Sequence, residues 1–176
     1  MIIVVLILLG LIVGSFLNVL IYRLPVMIIS DHQTNLNLWW PRSHCRSCQH
    51  TLHWYELIPL MSFIICRGRC RHCQQRISWQ YPIVECVCAT LFLISYIKFG
   101  LGLTMIVVAG LNALLLALWV IDFQHQLLPD ALIYSVLWLG LIYSAIGGFV
   151  TPGTSIITAA SAYLAMRLLA DSYRLI

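Results

Sequence analysis

Cys45-Arg-Ser-Cys48 and Cys70-Arg-His-Cys73 are two Cys-x-x-Cys knuckles with 21 residues between them. Each knuckle can present two thiolates to one metal, and four thiolates complete the closed tetrahedral shell of a structural zinc site. Arginines inside both knuckles offset the negative charge of a tetrathiolate centre. The competing readings are unconnected thiols or a redox Cys-x-x-Cys, and two knuckles in one short polar stretch favour metal. His44, His50, His53 and His72 lie close enough to replace a cysteine, although the four-cysteine set is the simpler one. Cys66, Cys86 and Cys88 are expected to be apolar filler. A second chemical group is Asp122, in Trp119-Val-Ile-Asp-Phe at the end of an apolar run. An ionisable side chain there is costly and marks a functional site, unless headgroups and water simply solvate it. Asp130 precedes a new apolar run and suits a helix cap.

Membrane spans must position these groups. The 176 residues are 61% hydrophobic and only 9% charged, far from the roughly 25% charged residues of a soluble domain. Met1–Tyr22 forms a first apolar run with Ser15 and Asn18 as its strongly polar members, and Arg23 follows it. A cleaved signal would carry its positive charge before the run, so a retained span is expected. Tyr81–Phe99, Leu101–Ile121, Ala131–Val150 and Thr154–Ala170 are further candidate spans, and Glu85 is an acidic group near the start of the second. The fold class is therefore an all-α polytopic membrane protein with about five transmembrane helices and a small zinc-binding domain. The expected division is residues 1–22 for the first span, 23–80 for the zinc domain, 81–170 for spans two to five, and 171–176 for a tail. No internal repeat beyond the spans stands out.

Seven of the ten basic residues, Arg23, Arg42, Arg46, Arg67, Arg69, Arg71 and Arg76, fall in the polar segment. The positive-inside rule then places 23–80 on the cytoplasmic face and the N-terminus outside. Thiols there meet a reducing compartment, which favours metal over disulfides. The basic residues are explained by topology and anionic lipid rather than by a nucleic-acid partner. A segment of this size also needs a staple such as a metal to hold a fold.

Four collinear stretches resemble the type IV prepilin peptidases, or prepilin leader peptidase/N-methyltransferases. They are Gly14-Ser-Phe-Leu-Asn-Val-Leu-Ile-Tyr-Arg-Leu-Pro25, the double knuckle with Trp54-Tyr-Glu-Leu-Ile-Pro-Leu60 and Arg67-Gly-Arg-Cys70, Ile77-Ser-Trp-Gln-Tyr-Pro-Ile-Val-Glu85, and Ile121-Asp-Phe-Gln-His-Gln-Leu-Leu-Pro-Asp130. The resemblance implies a multi-pass bacterial inner-membrane aspartyl protease. Its substrates would be prepilins or pseudopilins, cut on the cytoplasmic side. Many members also methylate the new N-terminus with S-adenosylmethionine. Position by position, it makes Asp122 the first catalytic aspartate and Cys45, Cys48, Cys70 and Cys73 the ligands of a structural Zn2+.

The family's second catalytic aspartate lies in a Gly-x-Gly-Asp motif, and no such motif occurs in these 176 residues. Asp171 lacks the flanking glycines. The expectation is a chain that lacks the family's C-terminal spans and has an incomplete catalytic pair. The alternative is a non-catalytic homologue that binds pilin signals or assembly partners. No glycine-rich nucleotide fingerprint is present, so a methyltransferase role rests on the resemblance alone.

Overall fold

The computed structural model describes residues 1–29, 37–38, 42–45 and 47–174. Arg46 and the last two residues of the expected tail lie outside that set. The chain is an all-α polytopic membrane protein, with no strand among the described residues. Its long helices are α1 (Ile2–Ile29), α3 (Gln80–Phe99), α4 (Leu103–His125), α5 (Asp130–Ala145) and α6 (Pro152–Arg174). A 3-10 turn (Trp54–Leu57) and the short α2 (Met61–Ile65) lie in the cysteine-bearing segment. Met1–Ile133 form one compact unit and Tyr134–Ile176 a second.

Helices α1, α3 and α4 are long and apolar enough to cross a membrane. Helix α1 has 28 residues and runs about 42 Å at 1.5 Å per residue, longer than a hydrocarbon core of about 30 Å. It therefore continues past Tyr22, where the charge of Arg23 suggested a stop. Arg23 is buried, and its Nη1 donates to the backbone carbonyls of Asn37 (2.6 Å) and Leu38 (3.0 Å). Satisfying the guanidinium in this way lets the helix run on through Pro25 to Ile29.

The core of the first unit joins α1 (Leu17, Leu20, Ile21), α3 (Val84, Cys88), α4 (Ala113, Ala117, Val120, Ile121) and Leu132 of α5. Small residues bring the helices close, as membrane packing requires. A Cβ on Gly10 would sit 2.6 Å from the Cα of Ala89, and one on Gly14 would sit 2.7 Å from the Cα of Glu85. The obstructing atoms are backbone and cannot rotate away. Gly14→Val is therefore expected to destabilise the α1–α3 pair by about 3 kcal/mol or more, at or above the usual overpacking cost. Gly140→Ala should be neutral, because its Cβ meets nothing within 4 Å. Thermal unfolding of the two variants in detergent, followed by helical circular dichroism, checks the contrast.

Within the second unit, the buried Ser144 hydroxyl donates to the carbonyl of Val150 (2.7 Å) and shares a hydrogen bond with Ser155 (2.9 Å), fixing the turn between α5 and α6. Helix α6 begins at Pro152, two residues before the expected start of the span at Thr154, since proline suits the first helical position. It continues through Arg174, beyond the expected start of the tail.

Candidate functional site

The two knuckles are built alike. In the first, the Cys45 amide donates to the His50 carbonyl (3.0 Å), and the Gln49 amide donates to the Cys45 carbonyl (2.9 Å). In the second, the Cys70 amide donates to Gln75 (2.9 Å), and the Gln74 amide donates to Cys70 (3.0 Å). Gln49 (φ 55°) and Gln74 (φ 58°) both take the left-handed conformation that turns each loop back. Antiparallel bridges close the loops, His44 with Thr51 and Arg69 with Arg76. His-Cys-Arg-Ser-Cys-Gln-His-Thr (44–51) and Arg-Cys-Arg-His-Cys-Gln-Gln-Arg (69–76) are thus an internal repeat. The signal for it in the sequence is the shared Cys-Arg-x-Cys-Gln, short enough to be masked by the metal-ligand spacing itself.

The repeat brings four cysteine Sγ atoms, of Cys45, Cys48, Cys70 and Cys73, within 4.8 Å of one another. The sulfurs of Cys45 and Cys73 are 3.8 Å apart. That is far beyond a disulfide bond and close to the roughly 3.8 Å edge of a tetrahedron with about 2.3 Å metal–sulfur bonds. The donor set and spacing fit a tetrathiolate metal centre. Cys70 is the buried member, whereas Cys48 and Cys73 are exposed. Among the described residues, no histidine belongs to the cluster. His50 instead packs edge-on against His72 (4.5 Å) and His53 (6.2 Å). Cys66, Cys86 and Cys88 stay outside the cluster, and Cys88 is fully buried in the helical core.

The cluster is electrostatically uneven. The Cys48 backbone amide, opposed by burial, pulls the Cys45 thiol down to about 7. At Cys73 the Gln75 amide favours the thiolate, but burial and the neighbouring Cys48, Cys70 and Cys45 sulfurs outweigh it and push the thiol up to about 11. A metal binds the deprotonated thiols, so it must displace protons at neutral pH. Affinity therefore rises with pH and falls as acid restores the protons. The expected slope, on the order of tenfold or more per pH unit, corresponds to at least one displaced proton, that of Cys73. Zinc competition titrations at pH 6.5 and 7.5 measure it.

The cysteine-bearing segment docks on one end of the helices. The Leu60 amide donates to Glu85 Oε2 of α3 (2.8 Å), and Leu60 itself takes the unusual φ of 56°. Asn18 of α1 donates through Nδ2 to the carbonyl of Tyr81 (3.1 Å) and to that of Gly14 (3.3 Å). Gln124 near the end of α4 donates to Gln80 at the start of α3 (2.8 Å). A cavity of about 390 Å³ opens between the knuckles, the second half of α1 and the start of α3. Ser15, Asn18 and Glu85 line it together with Arg69 and Arg76. In the sequence, Ser15, Asn18 and Glu85 are polar interruptions of apolar runs and members of two of the family-like stretches, with no sign that they meet.

Asp122 lies in the last turn of α4, exposed, beside the stacked rings of Trp119 and Phe123 (6.0 Å). It is not part of the cysteine cluster. Its carbonyl accepts from the Gln126 amide (2.8 Å), where Gln126 ends the helix in a left-handed cap. Asp130 is the first residue of α5, where a carboxylate favours the helix N-terminus. Asp171 is exposed on α6.

Residues 8–99 match the Bacterial Peptidase A24 N-terminal domain, and residues 109–174 match the Type IV leader peptidase family. The chain is 41% identical over 174 residues to a prepilin leader peptidase/N-methyltransferase of Pectobacterium carotovorum, covering 92% of this chain and 62% of the relative. It is 36% identical over 157 residues to one from Klebsiella pneumoniae, covering 89% of this chain and 68% of that protein. It is also 43% identical over 143 residues to a type 4 prepilin-like proteins leader peptide-processing enzyme of Escherichia coli, covering 76% and 53%. No solved structure matches. The chain spans about three fifths of the length of the first relatives (62%, 60% and 60%). Both family matches and these identities place it plainly: the chain belongs to the type IV leader peptidase family.

Proposed function

We infer that this chain belongs to an intramembrane aspartyl peptidase that removes leader peptides from type IV prepilins or pseudopilins, and that Asp122 is the first of its two catalytic aspartates. The observation that carries the reading is Asp122, exposed at the end of α4 in a chain of this family. The Gln124–Gln80 hydrogen bond ties that helix end to the start of α3, where the cysteine-bearing segment joins the helices. An ionised Asp122 would take a proton from the attacking water as its oxygen bonds the scissile carbonyl carbon. A second, protonated carboxyl would donate to the departing amine as the C–N bond breaks. The resemblance puts that second carboxyl in a Gly-x-Gly-Asp segment.

Topology supports cleavage at the cytoplasmic face of the bacterial inner membrane. Arg23, Arg42, Arg67, Arg69, Arg71 and Arg76 lie before α3, and Lys98 is at its far end. Zn2+ at the four cysteines would staple the segment that packs against α1 and α3, a structural role for a closed site. N-methylation of the new terminus is the second expected activity, and in it S-adenosylmethionine supplies the methyl group. The 390 Å³ cavity falls in the size range of small-molecule sites.

Reconstitution tests the reading. Residues 1–176 in nanodiscs are expected to leave a prepilin uncut, and the same residues joined to a Gly-x-Gly-Asp-bearing segment to release its leader. Crosslinking of prepilin by the joined protein with no cleavage would instead support a non-catalytic binder.

A further inference from the structure

The second knuckle carries a like-charge pair that the first does not. The Cys70 amide donates to the Gln75 carbonyl (2.9 Å) and the Ile77 amide to the Gly68 carbonyl (2.8 Å), on either side of Arg69 and Arg76. Arg69 and Arg76 therefore stand directly opposite in an antiparallel bridge, as a pair of the non-hydrogen-bonded kind. In that arrangement the Cα atoms are about 4.5 Å apart and both side chains leave the same face. The first knuckle makes the same bridge with His44 and Thr51, so the loop itself does not call for two arginines. Like charges directly opposite weaken such a pairing, and an anion held between them reverses the sign. Neither guanidinium has an acidic partner among the described residues.

Both arginines line the 390 Å³ cavity, and Arg23 and Arg71 line it too. Arg23 is 6% exposed, so one of these charges is built into the wall. The carboxylates that line the cavity are engaged elsewhere: Glu85 accepts from the Leu60 amide (2.8 Å) and Glu56 from the His53 amide (2.9 Å). Paired guanidiniums suit phosphate oxygens, which accept their forked N–H donors. The surroundings indicate the source of the phosphate. The cavity reaches Ser15 on α1 and Tyr81 on α3, both within membrane-spanning helices. Phe63 of its wall packs against Trp79 (5.0 Å), and Trp79 is exposed together with Met61, Ile64 and Ile65 of α2. An exposed tryptophan beside a span belongs at the headgroup level of a bilayer. Basic pockets at that level recognise anionic headgroups. We propose that Arg69 and Arg76 form a binding site for the phosphate of an anionic phospholipid, with the acyl chains in the bilayer beside Trp79.

A soluble phosphate carries the same group, and titrations separate the two sources. The zinc-loaded chain in a neutral detergent is titrated with dihexanoyl phosphatidylglycerol and with the zwitterionic phosphatidylcholine of equal chain length, followed by tryptophan fluorescence. Glycerol 3-phosphate and inorganic phosphate are titrated in parallel. The anionic lipid is expected to bind about tenfold or more tightly than the other three, as two arginine–headgroup attractions allow. Arg69→His combined with Arg76→Thr copies the pair that the first knuckle already carries in the same loop. It should erase the preference and leave the metal content unchanged. Arg76→Gln alone should reduce the preference about fivefold, the share of one arginine, and serves if the double variant does not fold. Arg67→Gln removes a charge from the same segment outside the cavity wall and should keep the preference. Equal binding of the two lipids by the wild-type chain overturns the proposal, as does a preference that survives the double variant. A preference weakened as much by Arg67→Gln is general surface attraction and also overturns it. Glycerol 3-phosphate or inorganic phosphate binding as tightly as the anionic lipid overturns the lipid as the ligand. A double variant that loses metal and keeps the lipid preference assigns the arginines to the thiolate charge instead. None of these readouts involves cleavage, so the proposal stands or falls apart from the peptidase reading.

Discussion

Replacing Cys70 with serine is expected to strip the metal from the chain and unfold the segment between α1 and α3. Cys70 is the buried thiol of the four, and a serine hydroxyl is a far weaker ligand for a soft tetrathiolate metal. Structural zinc in comparable small sites contributes about 10–16 kcal/mol at neutral pH. Little else in residues 42–79 could replace that energy. Among the described residues there, the regular structure amounts to a 3-10 turn, a helix of 5 residues and two isolated bridges. The bound metal should fall from about one equivalent to well under a tenth by elemental analysis. Protease sites near the knuckles should open while α1, α3 and α4 keep their helical signal. Cys86→Ser, at an exposed position outside the cluster, should retain full metal. A Cys70→Ser chain with undiminished metal content would contradict the tetrathiolate site.

The cysteine centre was legible because ligand spacing is a local property. Each knuckle needs only a short turn, and the turn is encoded next to its cysteines. The repeat of Cys-Arg-x-Cys-Gln was equally local and went unread, although the matched left-handed Gln49 and Gln74 show that it organises the site. The spans were legible from apolar length, but their ends were not. Arg23 suggests a boundary only until its guanidinium is seen to cap the carbonyls of Asn37 and Leu38. The meeting of Asn18 with Tyr81, and of Glu85 with Leu60, is tertiary. It depends on Gly10 and Gly14 letting α1 and α3 approach to backbone distance. No periodicity in either run announces such a pairing.

The largest effect belongs to Asp122→Asn. Asparagine has nearly the same shape and preserves the backbone bond from Gln126 that closes α4, so the fold should persist. It cannot take a proton from water at any physiological pH. Loss of a positioned base typically costs about 10²–10⁴ in rate, and more when the group works as half of a coupled pair. Asp130→Asn should be far milder. Asp130 begins α5, and a carboxylate at that end is worth about 0.3–1 kcal/mol of helix stability.

The account turns on whether Asp122 performs the cleavage. The direct measurement is the rate of leader release from a prepilin in nanodiscs, with residues 1–176 joined to a Gly-x-Gly-Asp-bearing segment, for the wild-type chain and for Asp122→Asn. Matched metal content and helical signal control for folding. The account predicts leader release by the first protein and a rate at least a thousandfold lower, on the order of the loss of a coupled acid–base pair, for the second. Leader release by Asp122→Asn at the wild-type rate would contradict it.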